Sequence, residues 1–545
     1  MSAHDELRGM GRALRLTARR LRVQALAWIL PLWLGTASFA PAYQDAYFSD
    51  AGGAGGAGGA GGNAVVEALR ASPGTRLLYG ELPEPGTTGQ LVEWEGATYL
   101  LVCTALMAVL LTCRLMRADE DEGLTELLRS AGAGRWVPFL APVLVTWAAV
   151  GVLAAFVGGT LVAEAHGIEA LTASGAWALA GVTASVGWGF AGLAAVVCQL
   201  ARSVADARPL ALACVGVAFV VRVLADESGA AWLRWTTPLG WRDLVAPYTD
   251  DDPVPLAACT AICVALVVAA GALYAHREYA GGYLPDRATS RRRWRLHGYA
   301  DLLTRLSTRA TLTWVAAVAC FSTLFGSTTE GILEMMQDDR ITAYVDMLTQ
   351  AADGVMAQFM SLMTVMMALL IAVAATGQAS RLAADEAAGL VDAEVAVGMP
   401  RWRLFLTQAA SAAAVGTILL VLCGTALAAA TATQVTEDHA VERAFVFTVS
   451  QLPGVLAATG ITLAVIGVAP QRFGIVWAVI AWSAFARLLG GLVDLPRWAQ
   501  ELSVVGHHLD VVGSPDWMPL AVQAAVGLGG TFLGLAAYLC RDLSR

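Results

Sequence analysis

Hydrophobic residues in this chain gather in long unbroken runs, not in alternation. Twelve stretches carry enough consecutive apolar positions to cross about 30 Å of hydrocarbon as helices. They cover 23–43, 97–115, 137–162, 175–200, 209–225, 254–275, 310–327, 355–376, 404–430, 445–468, 473–489 and 518–539. The fifth and seventh are short, so counts of ten to twelve satisfy hydropathy alone. Alternating segments of about ten residues, which a transmembrane barrel requires, are scarce. The pattern predicts an all-α, polytopic membrane protein of about twelve helices. A content of 57% hydrophobic and 14% charged residues, with mean hydropathy +0.60, agrees with lipid as the main solvent.

Charge then sets the topology. All 35 basic residues are Arg, and with twelve spans 26 of them fall on one side, six between Arg8 and Arg22 and eight between the sixth and seventh spans. The positive-inside rule places both termini in the cytoplasm. The acidic surplus behind the net charge of -9 sits largely in outer loops, at Asp250, Asp251, Asp252, Asp338 and Asp339. It therefore does not signal a nucleic-acid partner. The first apolar run is too long for a signal-peptide core and is read as a membrane helix. The nine Cys form no CxxC pair and lie in helices or at their ends, which argues against disulfides or a zinc site.

The chain repeats itself. Arg117 to Trp136 aligns without a gap on Ala383 to Trp402 at an offset of 266, pairing Asp119-Glu120 with Asp385-Glu386, Gly123-Leu124 with Gly389-Leu390, Glu126 with Asp392, and Arg135-Trp136 with Arg401-Trp402. The sixth and twelfth spans also end alike, Tyr274…Arg277-Glu278 against Tyr538…Arg541-Asp542. A tandem duplication follows: a first six-helix half, 1–285, with a cytoplasmic loop at 114–136, and a second, 286–545, with its loop at 378–402. The connector's Arg291-Arg292-Arg293-Trp294-Arg295 suits anionic headgroups of the bilayer. The Gly-Gly-Ala run 52–62 reads as a flexible outer linker.

Each matched loop predicts a short surface helix. Leu124, Leu127 and Leu128, or Leu390, Val391 and Val395, face the bilayer or a partner, while Glu120, Glu126 and Arg129, or Asp392 and Glu394, stay exposed. Two copies of such a loop suit a symmetric, dimeric soluble partner better than a purely topological role. The pattern D-E-x-x-G-L-x-E-L-L-x-S-x-G-x-G-R-W resembles the coupling-helix region of ABC-2 type exporter permeases. Pro238-Leu239-Gly240-Trp241, the connector Gly281 to Pro285, and Arg541-Asp542-Leu543 narrow the resemblance to fused twelve-helix permeases of actinobacterial polyketide-antibiotic and tetronasin-type exporters. The resemblance implies a separate ABC ATPase, a homodimer carrying ATP and Mg. It also implies coupling through Asp119, Glu120, Gly123, Leu124, Glu126, Leu127 and Arg135 and through Asp385, Glu386, Gly389, Leu390, Asp392 and Arg401. The second copy departs from the pattern at Ala387-Ala388 and Val397 to Pro400.

Energy supply separates the transporter classes. A P-loop needs a Lys against the phosphates, and a chain without Lys has none, so ATP hydrolysis falls to another polypeptide. The rival is a proton-coupled major-facilitator-like antiporter, which requires a titrating carboxylate within the membrane. None stands in the middle of a predicted span. Arg222 and Arg487, in matching places near outer ends, read as snorkelling to headgroups. A non-transporting enzyme or scaffold is the third class, but H-E-x-x-H and G-x-S-x-G are absent, and His507-His508 beside Asp510 is too small a set for a metal site. For the substrate, a hydrophobic small molecule, Met356, Met360, Met363 and Met367 form one stripe on the eighth span. Tyr99, Cys103 and Met107 form another on the second. Flexible thioethers suit varied apolar ligands as well as they suit a packed core.

Overall fold

A computed structural model describes the backbone of residues 3–44, 79–168, 170–278, 281–284, 298–336, 355–434, 440–488, 496–507 and 517–541, with isolated positions at 48, 66, 67, 69, 70, 76 and 509. Side chains are described there except at 3, 4, 227, 309, 320, 323–336, 355–362, 433, 434, 440 and 497. The glycine run 52–62, the arginine connector 291–295, Asp338 and Asp339 lie outside the described residues. Helices predominate in the described residues, with no strand among them, and the chain divides into two compact units, Met1–Ser290 and Arg291–Arg545.

The first unit contains α1 (Met10–Tyr43), α2 (Thr88–Asp121), α3 (Leu124–Ser130), α4 (Val137–Glu164), α5 (Ala173–Leu200), α6 (Val204–Ser228) and α7 (Pro253–His276). Helix α5 is central, packing on α2, α4, α6 and α7, while α1 lies along α4. Small residues make this possible: Gly181 and Gly192 receive Leu256 and Leu266 of α7, and Gly187 receives Val150 of α4 and Thr104 of α2. Close backbone approach replaces the hydrophobic drive that lipid cannot supply. Polar contacts add to it, with Trp33 Nε1 donating to Thr160 Oγ1 at 2.7 Å and Trp188 Nε1 to the Trp147 carbonyl at 3.0 Å. Ser203 and Asp252 cap α6 and α7 by accepting from Asp206 N and Val254 N.

The second unit repeats the scheme with α8 (Tyr299–Met336), α9 (Val355–Ala379), α10 (Arg381–Ala387), α11 (Leu390–Ala396), α12 (Arg401–Gln434), α13 (Ala440–Val449), α14 (Leu452–Val468), α15 (Ile475–Leu488) and α16 (Met518–Cys540). Here α8 lies along α12, and α14 packs on α9 and α16. The α14–α16 seam is built on glycine, since a Cβ at Gly460 would overlap the Gly527 carbonyl and one at Gly467 the Gly534 carbonyl.

Every predicted span falls on a helix, and ten helices among the described residues are long and apolar enough to cross a membrane. The seventh and eleventh spans fall on α8, whose shorter apolar stretch is Ala310–Ala319, and on α15, of 14 residues. Two boundaries differ from the sequence reading. A turn at Ser450 and Gln451 splits the tenth span into α13 and α14. The second span begins at Thr88 instead of residue 97, because the Thr87–Gln90 capping box starts the helix there and π-helical turns at Val92–Gly96 carry it on. Glu93 and Glu95 lie in that added stretch, and their charge concealed it from hydropathy.

Candidate functional site

The repeated loops fold into the same device in each unit. Helix α2 runs on to Asp121, past the end of the predicted span at residue 115, the chain reverses at Gly123, and α3 follows. In the second unit α10 ends, Gly389 reverses the chain, and α11 follows. Gly123 and Gly389 adopt φ of 75° and 72°, and the next matched pair, Gly132 and Gly398, adopts 84° and 96°. Left-handed backbone is accessible to glycine at little cost, which explains why the residue type recurs at both matched positions.

An acidic side chain then ties each loop to the last helix of its unit. Glu120 accepts from Arg277 Nη2 at 2.7 and 3.0 Å and from Arg117 Nη1 at 2.9 Å, with its side chain 7% exposed. Glu386 accepts from Arg541 at 2.6 and 2.5 Å, with its side chain 3% exposed. Glu120 and Glu386 are thus buried clamps, which corrects the expectation that Glu120 is exposed at a docking surface. Bidentate pairing in a water-poor pocket explains the difference, because a buried carboxylate needs a cation to offset its desolvation. Arg135 donates to the Ala275 carbonyl at 2.5 Å, and Arg401 to the carbonyls of Tyr538 and Arg541. Phe139 stacks on Tyr274 at 5.2 Å, and Phe405 packs on Tyr538 at 5.4 Å. The connector joins the first clamp: the Gly281 carbonyl accepts from Arg277 and Arg117, and the backbone N–H of Leu284 donates to the Leu200 carbonyl at 2.9 Å.

What the device leaves outside differs from what it buries. In the first unit Glu126 is exposed beside Leu127, which is 65% exposed, and Leu124 is half-buried. Asp119 is turned aside, held by Arg20 at 2.7 and 2.9 Å. In the second unit Leu390 is 54% and Val397 91% exposed, next to exposed Asp392, while Asp385 is half-buried. Val391, grouped from sequence with the outward face, is buried in the local core.

The two stripes proposed for a substrate path divide. Tyr99 is exposed, its hydroxyl 2.5 Å from that of Tyr79, and Cys103 is half-buried. Met107 belongs to the first unit's core, Met367 to the second's, and Met363 is also buried. The side chains of Met356 and Met360 lie outside the described residues.

A charged cluster that sequence reasoning missed occupies the outer end of the first unit. Arg242, on the short helix Trp241–Val245, pairs with Glu93 at 2.8 Å and Asp243 at 2.7 Å. It also donates to the carbonyls of Trp94 and Tyr79 and to Thr98 Oγ1. Burial pushes the Asp243 carboxyl up, but Arg242 and Arg222 outweigh it and hold the group below the usual range. Arg222 is 3% exposed and pairs with Asp226 at 2.9 Å, so it is a buried ion-pair partner and does not snorkel. Arg487 at the matching place donates Nε to the Val505 carbonyl at 3.1 Å. His507 lies 2.9 Å from Gln523 Nε2, while His508 and Asp510 lie outside the described residues. The only sequence signal for the cluster was Glu93, Arg222 and Arg242 standing close to apolar runs.

Fold, topology and duplication together define a multi-pass, all-α membrane protein built of two like units. Residues 296–539 match the family described as the C-terminal domain of the multidrug efflux system permease Rv1217c. Over 97% of its length, covering 94% of the relative, the chain is 28% identical to the multidrug efflux system permease protein Rv1217c of Mycobacterium tuberculosis. With this relative and these helices, the chain is a multi-pass protein of the bacterial plasma membrane.

Proposed function

We propose that this chain is the permease subunit of an ATP-driven exporter of the ABC-2 type, moving hydrophobic or amphipathic compounds out of the cell. ATP and Mg belong to a separate, dimeric ATPase. The observation that carries the reading is the pair of cytoplasmic devices, each a short helix after a left-handed glycine, clamped by a buried Glu–Arg pair and presenting an exposed Leu beside a carboxylate. Leu127 with Glu126, and Leu390 with Asp392, form the docking faces. Glu120 and Glu386 transmit force by fixing each loop to α7 or α16. Similarity to a multidrug efflux permease supports export, and the lack of Lys supports an external ATPase.

Leu127→Arg with Leu390→Arg tests it, since both side chains are exposed and insertion is preserved. Loss of ATPase capture and of drug export at unchanged membrane abundance is the expected result. Unaltered capture and export would make the loops topological only.

One observation favours a second reading, a proton-coupled carrier: two carboxylates enter α2, Glu93 buried and Glu95 half-buried. Glu93 is held by Arg242, however, and Glu95 accepts from the Tyr43 hydroxyl at 2.7 Å. Export that stops on collapse of the proton gradient, at maintained ATP, would favour the carrier.

A further inference from the structure

A cavity of about 200 Å³ opens at the cytoplasmic end of the first unit, between α2, α3, α4, α5 and α7. Four guanidinium groups line it, those of Arg117, Arg129, Arg135 and Arg277, against two carboxylates, Glu120 and Glu278. The lining therefore carries two positive charges in excess. At about 30 Å³ per water, its volume equals that of roughly six or seven waters. Gln199 also lines the cavity; the residue is 2% exposed, and its Oε1 has no hydrogen-bond partner within the protein while its Nε2 donates to Ala195. A buried acceptor left in this way stays desolvated unless a ligand or water supplies a donor.

Comparison of the repeats shows that folding the device does not need this polarity. The second unit keeps the clamp, Glu386 with Arg541, and keeps Arg401. At the positions matching Arg117, Thr125 and Arg129 it has Ala383, Val391 and Val395. Arg129 and the Thr125 hydroxyl, which line the first unit's cavity, are thus surplus to the clamp, and Arg117, which joins the clamp there, has no cationic counterpart in the second unit. Their common property is that they face the same space at the inner membrane surface.

We infer that this cavity binds a phosphate group bearing a hydroxyl-rich substituent, from an anionic lipid headgroup or a free phosphate ester. The arginines take the phosphate oxygens, for which the guanidinium fork is suited. Gln199 Oε1 accepts from a ligand hydroxyl. Because Thr125 and Arg129 belong to α3 and Arg277 follows α7, an occupied site bridges the surface helix to the bundle, and anion binding strengthens the same connection that the Glu120 clamp makes.

The full chain, purified in detergent, is titrated with dioctanoyl phosphatidylglycerol, dioctanoyl phosphatidylcholine, glycerol phosphate and inorganic phosphate, reading the thermal midpoint. The test variant is Thr125→Val with Arg129→Val, which installs the residues that the second unit already carries there and so keeps a fold-compatible surface. Arg472→Ala, an exposed arginine of the second unit, is the charge control. Saturable stabilisation by phosphatidylglycerol but not phosphatidylcholine, with apparent affinity at least tenfold weaker in the double variant and unchanged in the control, is expected for a lipid source. Equal stabilisation by glycerol phosphate or inorganic phosphate, with the same loss in the variant, supports the site and assigns it to a soluble phosphate. Equal stabilisation by both lipids, identical affinity in the double variant, or no stabilisation by any of the four overturns the proposal.

Discussion

Replacing Glu120 with Gln separates a clamp from a docking charge. The carboxylate receives three charge-assisted contacts at 2.7–3.0 Å from two arginines whose side chains are 6% and 1% exposed. Removing one partner of a buried pair costs about 3–5 kcal/mol, because the remaining charges stay desolvated. Gln keeps the shape and one acceptor oxygen, and Arg277 and Arg117 retain the Gly281 carbonyl, which places the loss near the lower end, about 3 kcal/mol. At about 2 °C per kcal/mol for a large unit, the thermal midpoint falls by about 6 °C. The matching exposed change, Glu126→Gln, costs under about 0.5 kcal/mol and leaves the midpoint within about 1 °C. Melting curves of the purified chain, followed by intrinsic tryptophan fluorescence, give both numbers. Arg277→Gln completes a cycle in which the double variant loses less than the sum of the single ones. If Glu120→Gln melts with Glu126→Gln, or the cycle is additive, the carboxylate does not hold α2 to the end of α7 and the clamp is wrong.

Gly460→Ala drives a methyl into the Gly527 carbonyl at the α14–α16 seam and should sharply reduce folded protein recovered from membranes, whereas Gly123→Ala meets open space and costs only about 1–2 kcal/mol of left-handed strain; size-exclusion profiles in detergent distinguish the two. Arg242→Gln removes the cation shared by Glu93 and Asp243 and should lower the thermal midpoint at least as much as Glu120→Gln, while a wild-type midpoint would mean the outer cluster is already wet. Met367→Ala should cost about 2–5 kcal/mol and Met367→Leu under about 1.5, with drug selectivity unchanged in the Leu variant if this methionine serves only the core. The purified chain alone should release no phosphate from ATP, and hydrolysis in the absence of any co-purifying subunit would contradict the external ATPase.

Local patterns settled much of this protein. Long apolar runs specify helices wherever lipid leaves backbone groups no other partner, so the all-α class and a helix beneath each predicted span were legible, ten helices among the described residues being long and apolar enough to cross a membrane. Arginine bias set their expected orientation, and the ungapped match of 117–136 with 383–402 pointed to a duplication, whose matched glycines proved left-handed. Roles that depend on a distant partner were not legible. Glu120 read as a solvated loop carboxylate until packing brought up Arg277, 157 residues away, and Arg222 read as snorkelling until Asp226 and the Arg242 cluster closed around it. Glu93 and Glu95 broke the hydropathy of α2 and shortened its predicted span, although their pairing with Arg242 and Tyr43 is what lets charge enter that helix. Met107 and Met367 share a composition with a flexible binding surface, and only their neighbours place them in a core. Sequence carries the periodicity and polarity of each helix; which charges are desolvated, and against what, is decided by the close approach of helices far apart in the chain.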